Sequence, residues 1–291
     1  MPKVSSQSSA AEALGDLIVL EDEADHSRAL IAPERGALVT SFSVGARELL
    51  YLDESTLIDA TKNVRGGIPV LFPSPGKLKN DAWTRAGHSG TMKQHGFARN
   101  LPWTVASTSD TAALVTLELT SNAETLEQFP WPFHATLRFE LSGASLRITA
   151  RIENTGATPM PFALGYHPYF AVHDKARARI ATRATRAYDN VQKRSVPFTG
   201  FDFTSTELDL HLLDHGASSC ALLLADGTRL DVRGSPEFQR WIVWTLTGKD
   251  YVCLEPWTAL GNALNTGEGL LEVEPGKSRE LWVEFSFAHV L

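Results

Sequence analysis

The chain has 291 residues, 43% of them hydrophobic and 21% charged, with a formal net charge of -7 at pH 7. That length allows one large core. The scattered lysines and arginines offer no basic patch for nucleic acid or an anionic membrane. The only two cysteines, Cys220 and Cys253, lie in apolar runs without CxxC or zinc spacing. A disulfide framework is thereby excluded; both read as small buried hydrophobes, and a cytoplasmic location is expected.

Residues 1–15 read as a flexible polar tail, with a short helix near Ser9–Leu14 and no apolar stretch of signal-peptide length after Lys3. From there the pattern is short apolar runs with a period near two. They include LIVLED (17–22), ALVTSFSVG (37–45), WTVASTS (103–109), AALVTLELT (112–120), FHATLRFEL (133–141) and SLRITARIEN (145–154). In the last, Leu146, Ile148, Ala150 and Ile152 alternate with Arg147, Thr149, Arg151 and Glu153, as in a strand with one wet face. Further runs follow at 221–234, 240–248 and 280–287, the first interrupted by the hairpin signal Asp226-Gly227. Helical periodicity is confined to short pieces, such as Ala259–Leu264. The segment 61–102 is rich in Gly, Pro and charge and reads as a long connection, too polar and irregular for core. No stretch approaches ~18 consecutive apolar residues, so no membrane span is expected. Many closely spaced strands without a block of helices predict an all-β fold, a large antiparallel β-sandwich formed as one domain over 16–291.

Three segments stand apart from the strand pattern. In NVRGGIPVLFPSPGKLKNDAW (63–83) and MKQHGFARNLPW (92–103), Arg65 and Arg99 offer fixed forks of donors. Gly96 behind His95 leaves room for a bound molecule. The same pattern also fits a proline-braced loop with solvated arginines. In LGYHPYF (164–170), Pro168 keeps His167 extended, and Tyr166, Tyr169 and Phe170 enclose it. Such a histidine is either a satisfied core residue, a metal ligand or an acid/base held near neutrality. In YVCLEPWTALGN (251–262), Glu255 ends an apolar run, where flanking hydrophobic surface raises a carboxyl pKa and strengthens it as a base. A solvated strand-end glutamate gives the same pattern.

HGFAR, GYHPYF and LEPW, in that order and roughly 70 to 90 residues apart, resemble the aldose 1-epimerase (galactose mutarotase) family. RGGIPVLFP is similar to its hexose-phosphate mutarotase branch, and the likeness runs from about residue 16 to the C-terminus. The resemblance implies a β-sandwich with a sugar cleft across one sheet and a small-molecule sugar or sugar phosphate as substrate. It also implies acid/base chemistry with no metal and no cofactor. By motif, His167 is the general acid and Glu255 the general base, while His95, Arg65 and Arg99 bind the sugar. The acidic sugar contact is assigned to Asp202 in PFTGFDF, in preference to Asp209 in ELDLHLL. Trp83, Tyr169 and Trp257 are candidates for a surface under the sugar ring. FPSPGKLKND departs from the phosphate branch, which leaves a phosphate contact by Lys77, Lys79, Arg85 or Lys93 open.

Three rival readings carry distinct signatures. A metal site would join His95, His167 and Glu255, or use the i, i+4 pair His211 and His215. A glycoside hydrolase would need two carboxylates, with Asp202 and Glu255 the best pair. The alternative from another class is a non-catalytic sugar-binding or regulatory protein on the same scaffold, which the joint presence of His167 and Glu255 disfavours.

Overall fold

A computed structural model of the chain describes residues 2–8, 14–109 and 111–289. The described residues form two eight-stranded sheets, a five-stranded N-terminal sheet and two small two-stranded ones, with every strand pair antiparallel. The expected large antiparallel β-sandwich is what the chain adopts. Helices are short, at Glu54–Ile58, Ala123–Gln128 and Ala263–Thr266. Among the described residues no helix is long and apolar enough to cross a membrane. The sequence-predicted helix at Ser9–Leu14 falls largely on 9–13, outside the described residues. The one predicted at Ala259–Leu264 forms later, at Ala263–Thr266.

The first large sheet takes its neighbours in the order Arg179–Ala181, Ser219–Leu223, Thr228–Gly234, Ser278–His289, Ser145–Asn154, Phe133–Ser142, Ala113–Thr120 and Thr104–Thr108. Its alternation follows from the pleat, which sends successive side chains to opposite faces. Leu146, Ile148 and Ala150 are 0% exposed, while the residues between them stay partly wet. Ile148 lies opposite Phe139 on one neighbour and Val283 on the other, so three strands share one apolar layer. Burying each such aliphatic side chain contributes about 1.5–3 kcal/mol. Asp226 and Gly227 form the hairpin the sequence signals, with Gly227 at φ +84° and Leu224 N–H donating to Thr228.

The second large sheet runs Arg194–Pro197, Arg186–Asp189, Glu207–Leu212, Arg240–Leu246, Tyr251–Trp257, Gly165–Tyr166 and Val70–Leu71, with Tyr169–Ala171 also paired to Tyr251–Trp257. The strand Tyr251–Trp257 is buried along its whole length. Val252 and Leu254 enter the main core, whereas Cys253 and Tyr251 pack with Tyr169 on the opposite face. Both cysteines are free and buried.

Two sequence expectations need correction here. Pro2–Ser8, expected as part of a flexible tail, is an edge strand paired residue for residue with Asp16–Asp22. Its exposed polar side chains resemble a tail in composition, but backbone pairing needs no apolar side chain. The connection at 61–102 is also no surface loop. Ile68, Val70, Phe72, Trp83, Met92 and Phe97 all join the main core. Its glycines and prolines mark close backbone packing, and Gly67, at φ +65°, would place a Cβ 2.2 Å from the Val39 carbonyl oxygen.

Candidate active site

The segment RGGIP positions His167. Tyr169 N–H donates to Gly67 O at 2.9 Å and His167 N–H to Pro69 O at 3.1 Å. A third anchor is Leu164, whose N–H donates to Thr258 Oγ1 at 2.9 Å while Thr258 N–H returns to Leu164 O. The backbone around His167 is thus pinned on both sides. The imidazole stacks on Tyr169 with centroids 4.7 Å apart and an interplanar angle of 15°, and meets Trp244 edge-on.

Glu255 reaches the same point from the buried strand. His167 Nε2 lies 3.4 Å from Glu255 Oε1, with the two residues 6% and 1% exposed. The other carboxyl oxygen, Oε2, accepts from Trp257 Nε1 at 3.2 Å. Burial drives both groups toward their neutral forms. It lowers His167 to about 3, with the nearby Arg99 charge acting in the same direction. It also holds Glu255 well above the usual carboxylate range, assisted by Asp209. Burial thus favours a neutral imidazole beside a neutral carboxyl over the charged pair.

His95 stands over this pair, its ring 5.6 Å from His167 and 5.9 Å from Trp257, both edge-on. Gly76 N–H donates to His95 Nδ1 at 3.1 Å, and the Gln94 side-chain nitrogen lies 3.1 Å from His95 Nε2. Burial, then the Arg99 charge, keeps His95 well below its ordinary pKa. Gly96 is required for a reason other than ligand room. It sits at φ +72°, and a Cβ there would lie 2.2 Å from the Phe72 carbonyl oxygen.

His95, His167, Glu255 and Trp257 line an open cleft of about 810 Å3 together with Arg65, Lys77, Gln94, Tyr188, Asn190, Lys193, Glu207, Asp209, His211 and Trp244. Arg65 stands at the rim, its guanidinium 5.5 Å from the Trp244 ring centroid. Arg99, expected to bind sugar, is not among the lining residues. Its Nε is buried without a partner, its Nη2 donates to Gln94 O at 3.4 Å, and burial lowers its pKa to about 10. From there it acts on the histidines through charge.

The expected acidic contact is also corrected. Asp202 is exposed, and its carboxylate is taken up by Thr204 and Ser205 in a loop away from the cleft. Asp209 occupies the cleft instead. Asn190 Nδ2 donates to its Oδ2 at 2.6 Å, and His211 Nε2 lies 3.3 Å from its Oδ1, close enough for an ion pair but without hydrogen-bond alignment. Burial alone would raise the Asp209 pKa, yet His211 and Asn190 outweigh it and lower it. Sequence reasoning considered His211 only as a metal-pair partner of His215, and missed Asn190 and Trp244. A usable signal lay in ELDLHL, where Glu207, Asp209 and His211 alternate with three leucines and so share one face of a strand.

Other candidates fall elsewhere. Trp83 is buried against Trp131, and Tyr169 lies behind His167 rather than on the cleft surface. Of the four cations at 77–93 only Lys77 lines the cleft. His211 and His215 do not converge, since His215 packs on Trp241 and bonds to Thr182 and Ser219. Among the described residues no three His, Cys, Asp or Glu side chains are grouped to hold a metal ion.

The same overall fold recurs in solved structures. The crystal structure of the Slr1438 protein from Synechocystis sp. PCC 6803 superposes with a TM-score of 0.91 at 40% identity, covering 94% of this chain and 96% of that one. A galactose 1-epimerase from Lactobacillus acidophilus NCFM shares the fold at a TM-score of 0.78, with 15% identity and full coverage of both chains. The plasmid-encoded LacX protein of Lactococcus lactis subsp. lactis is 28% identical over 251 residues, 76% of this chain and 83% of that protein. The family model for aldose 1-epimerase matches residues 16–286. The chain belongs to the aldose 1-epimerase family.

Proposed function

We propose that the protein is a cytoplasmic, cofactor-independent mutarotase that interconverts the α and β anomers of a hexose or hexose phosphate. The observation that carries this reading is the buried His167–Glu255 pair, 3.4 Å apart at the floor of an open polar cleft. Ring opening requires a base to take the C1 hydroxyl proton while an acid protonates the ring oxygen. The C1–C2 bond then rotates, the carbonyl presents its other face, and the transfers reverse. One proton shared by the two groups satisfies this balance: on His167 it gives the form with His167 as acid and Glu255 as base. Because closure reverses opening, each group serves in both roles over a full cycle.

Arg65, His95 and Asp209 are the proposed sugar-binding residues, with Trp244 supplying apolar surface. Lys77 and Lys193 line the same cleft and can meet a phosphate. Polarimetry on freshly dissolved glucose, galactose and glucose 6-phosphate tests the reading. Catalysed mutarotation of at least one sugar, lost in both Glu255→Gln and His167→Asn, is the expected result. Binding of a sugar without any rate enhancement would favour the non-catalytic alternative.

A further inference from the structure

The Trp257 indole is held in a slot that nothing in the acid/base scheme requires. It is 3% exposed and ends the strand that carries Glu255, two residues on and hence on the same face. Gly165 lies directly opposite it on the neighbouring strand. A Cβ on Gly165 would come 2.7 Å from Trp257 Cδ1, and one on Gly76 would come 3.0 Å from its Cζ3. Gly76 has φ +75°, so its backbone alone favours glycine. Gly165 is not among the positive-φ residues, which leaves side-chain crowding as the reason for glycine there. The crowding comes from the indole and from Pro75. His95 and His211 hold the ring edge-on, each 5.9 Å away.

This seat fixes the direction of one N–H. An indole nitrogen is a donor only and does not titrate. Its bond to Glu255 Oε2 therefore demands a lone pair on that oxygen. The carbonyl-type oxygen of a carboxylic acid is the better acceptor, so this bond favours a carboxyl proton on Oε1, the oxygen 3.4 Å from His167 Nε2. We propose that Trp257 is a positioning residue that directs proton exchange by Glu255 through Oε1, and that Gly165 is the seat that holds it there. The role in catalysis rests on the mutarotase reading; the orientation of the carboxyl does not.

Trp257→Phe keeps an aromatic ring in the slot, though a smaller one, and removes the N–H. On the best sugar of the panel, kcat is expected to fall by about tenfold to a hundredfold with KM within about threefold, as for loss of alignment rather than of binding. Loss of the donor also removes an interaction that favours the carboxylate, so the alkaline limb of the rate profile moves to higher pH. Gly165→Ala, which displaces the indole without altering it, is expected to act in the same direction. In a Glu255→Gln background, Trp257→Phe is expected to add no further loss. A changed KM with unchanged kcat, or additive losses, would overturn the proposal and leave Trp257 as a sugar platform. Carbon-13 NMR of labelled glutamate separates this from failure of the mutarotase reading. If no sugar is turned over, the Glu255 carboxyl must still titrate at higher pH in Trp257→Phe than in the unmodified protein, and an unchanged titration sinks the inference.

Discussion

Two strands of ten and seven residues teach different lessons. Ser145–Asn154, in the outer sheet, buries every second residue and leaves the others to water. Tyr251–Trp257, in the cleft sheet, is buried on both faces. The first has a single job, and its alternation declares it. The second packs Val252 and Leu254 into the core while Cys253, Glu255 and Trp257 line up on the other side. A carboxyl in that row is desolvated by the covering aromatics, and this is what raises the pKa of Glu255. One strand stabilises the fold through its apolar face; the other spends part of its buried surface on a polar group that serves the cleft.

The largest expected effect breaks the comparison on the cleft side. Glu255→Gln and His167→Asn should each lower kcat by about 10²–10⁴-fold, the usual worth of a positioned acid or base. The melting temperature should stay close to that of the unmodified protein, because burial already holds both groups toward their neutral forms and Gln and Asn are neutral polar replacements. Mutarotation rates and thermal unfolding of the two variants check both halves. On the outer strand the signs reverse. Ile148→Ala opens a cavity between Phe139 and Val283 and should cost about 2–5 kcal/mol of stability, read by urea unfolding, with kcat unchanged.

A subtler difference lies in pH. His167 has a folded pKa lowered to about 3, whereas the unfolded chain takes up that proton near ~6.5. Between those values the unfolded state binds more protons, so stability falls as pH drops through the window, by at most about 1.4 kcal/mol per pH unit. His95, lowered for the same reason, adds to the slope. Glu255 acts oppositely. Its raised folded pKa contributes stability that is present below the unfolded value and is lost as pH rises toward the folded one. His167→Asn should therefore flatten the acid side of a plot of unfolding free energy against pH, and Glu255→Gln the side above pH ~4.3. Parallel curves for either variant and the unmodified protein would contradict the assigned burial.

Legibility in the sequence follows the same division. Ser145–Asn154 was readable to its ends, because one wet face imposes a period of two. The edge strand Pro2–Ser8 was not, since its side chains are polar and only the backbone pairs. Nor was the burial of Trp83 and Phe97 within 61–102, where glycines and prolines mimic a surface loop. For the site, motif order brought out His95, His167 and Glu255, and all three line the cleft. Motif likeness misplaced Asp202 because PFTGFDF carries no information about which way its loop folds. The alternation Glu207, Asp209, His211 did carry it, as a polar row on a strand whose other face is leucine.

The smallest expected effect tests that last distinction. Among the described residues the Asp202 carboxylate bonds to Thr204 and Ser205 in its own loop, so Asp202→Asn should leave both kcat and KM unchanged. Asp209 is held from two sides, by Asn190 and His211, and its charge faces the cleft. Asp209→Asn retains the shape and removes the charge. KM should rise by about tenfold, the scale of one hydrogen bond to a charged group. Its charge also helps keep Glu255 protonated, so its removal should move the alkaline limb of the rate profile to lower pH. That shift is opposite in sign to the one expected for Trp257→Phe. Two neighbours of one carboxyl, changed one at a time, then pull its titration in opposite directions: one loses an N–H that favours the carboxylate, the other a charge that opposes it.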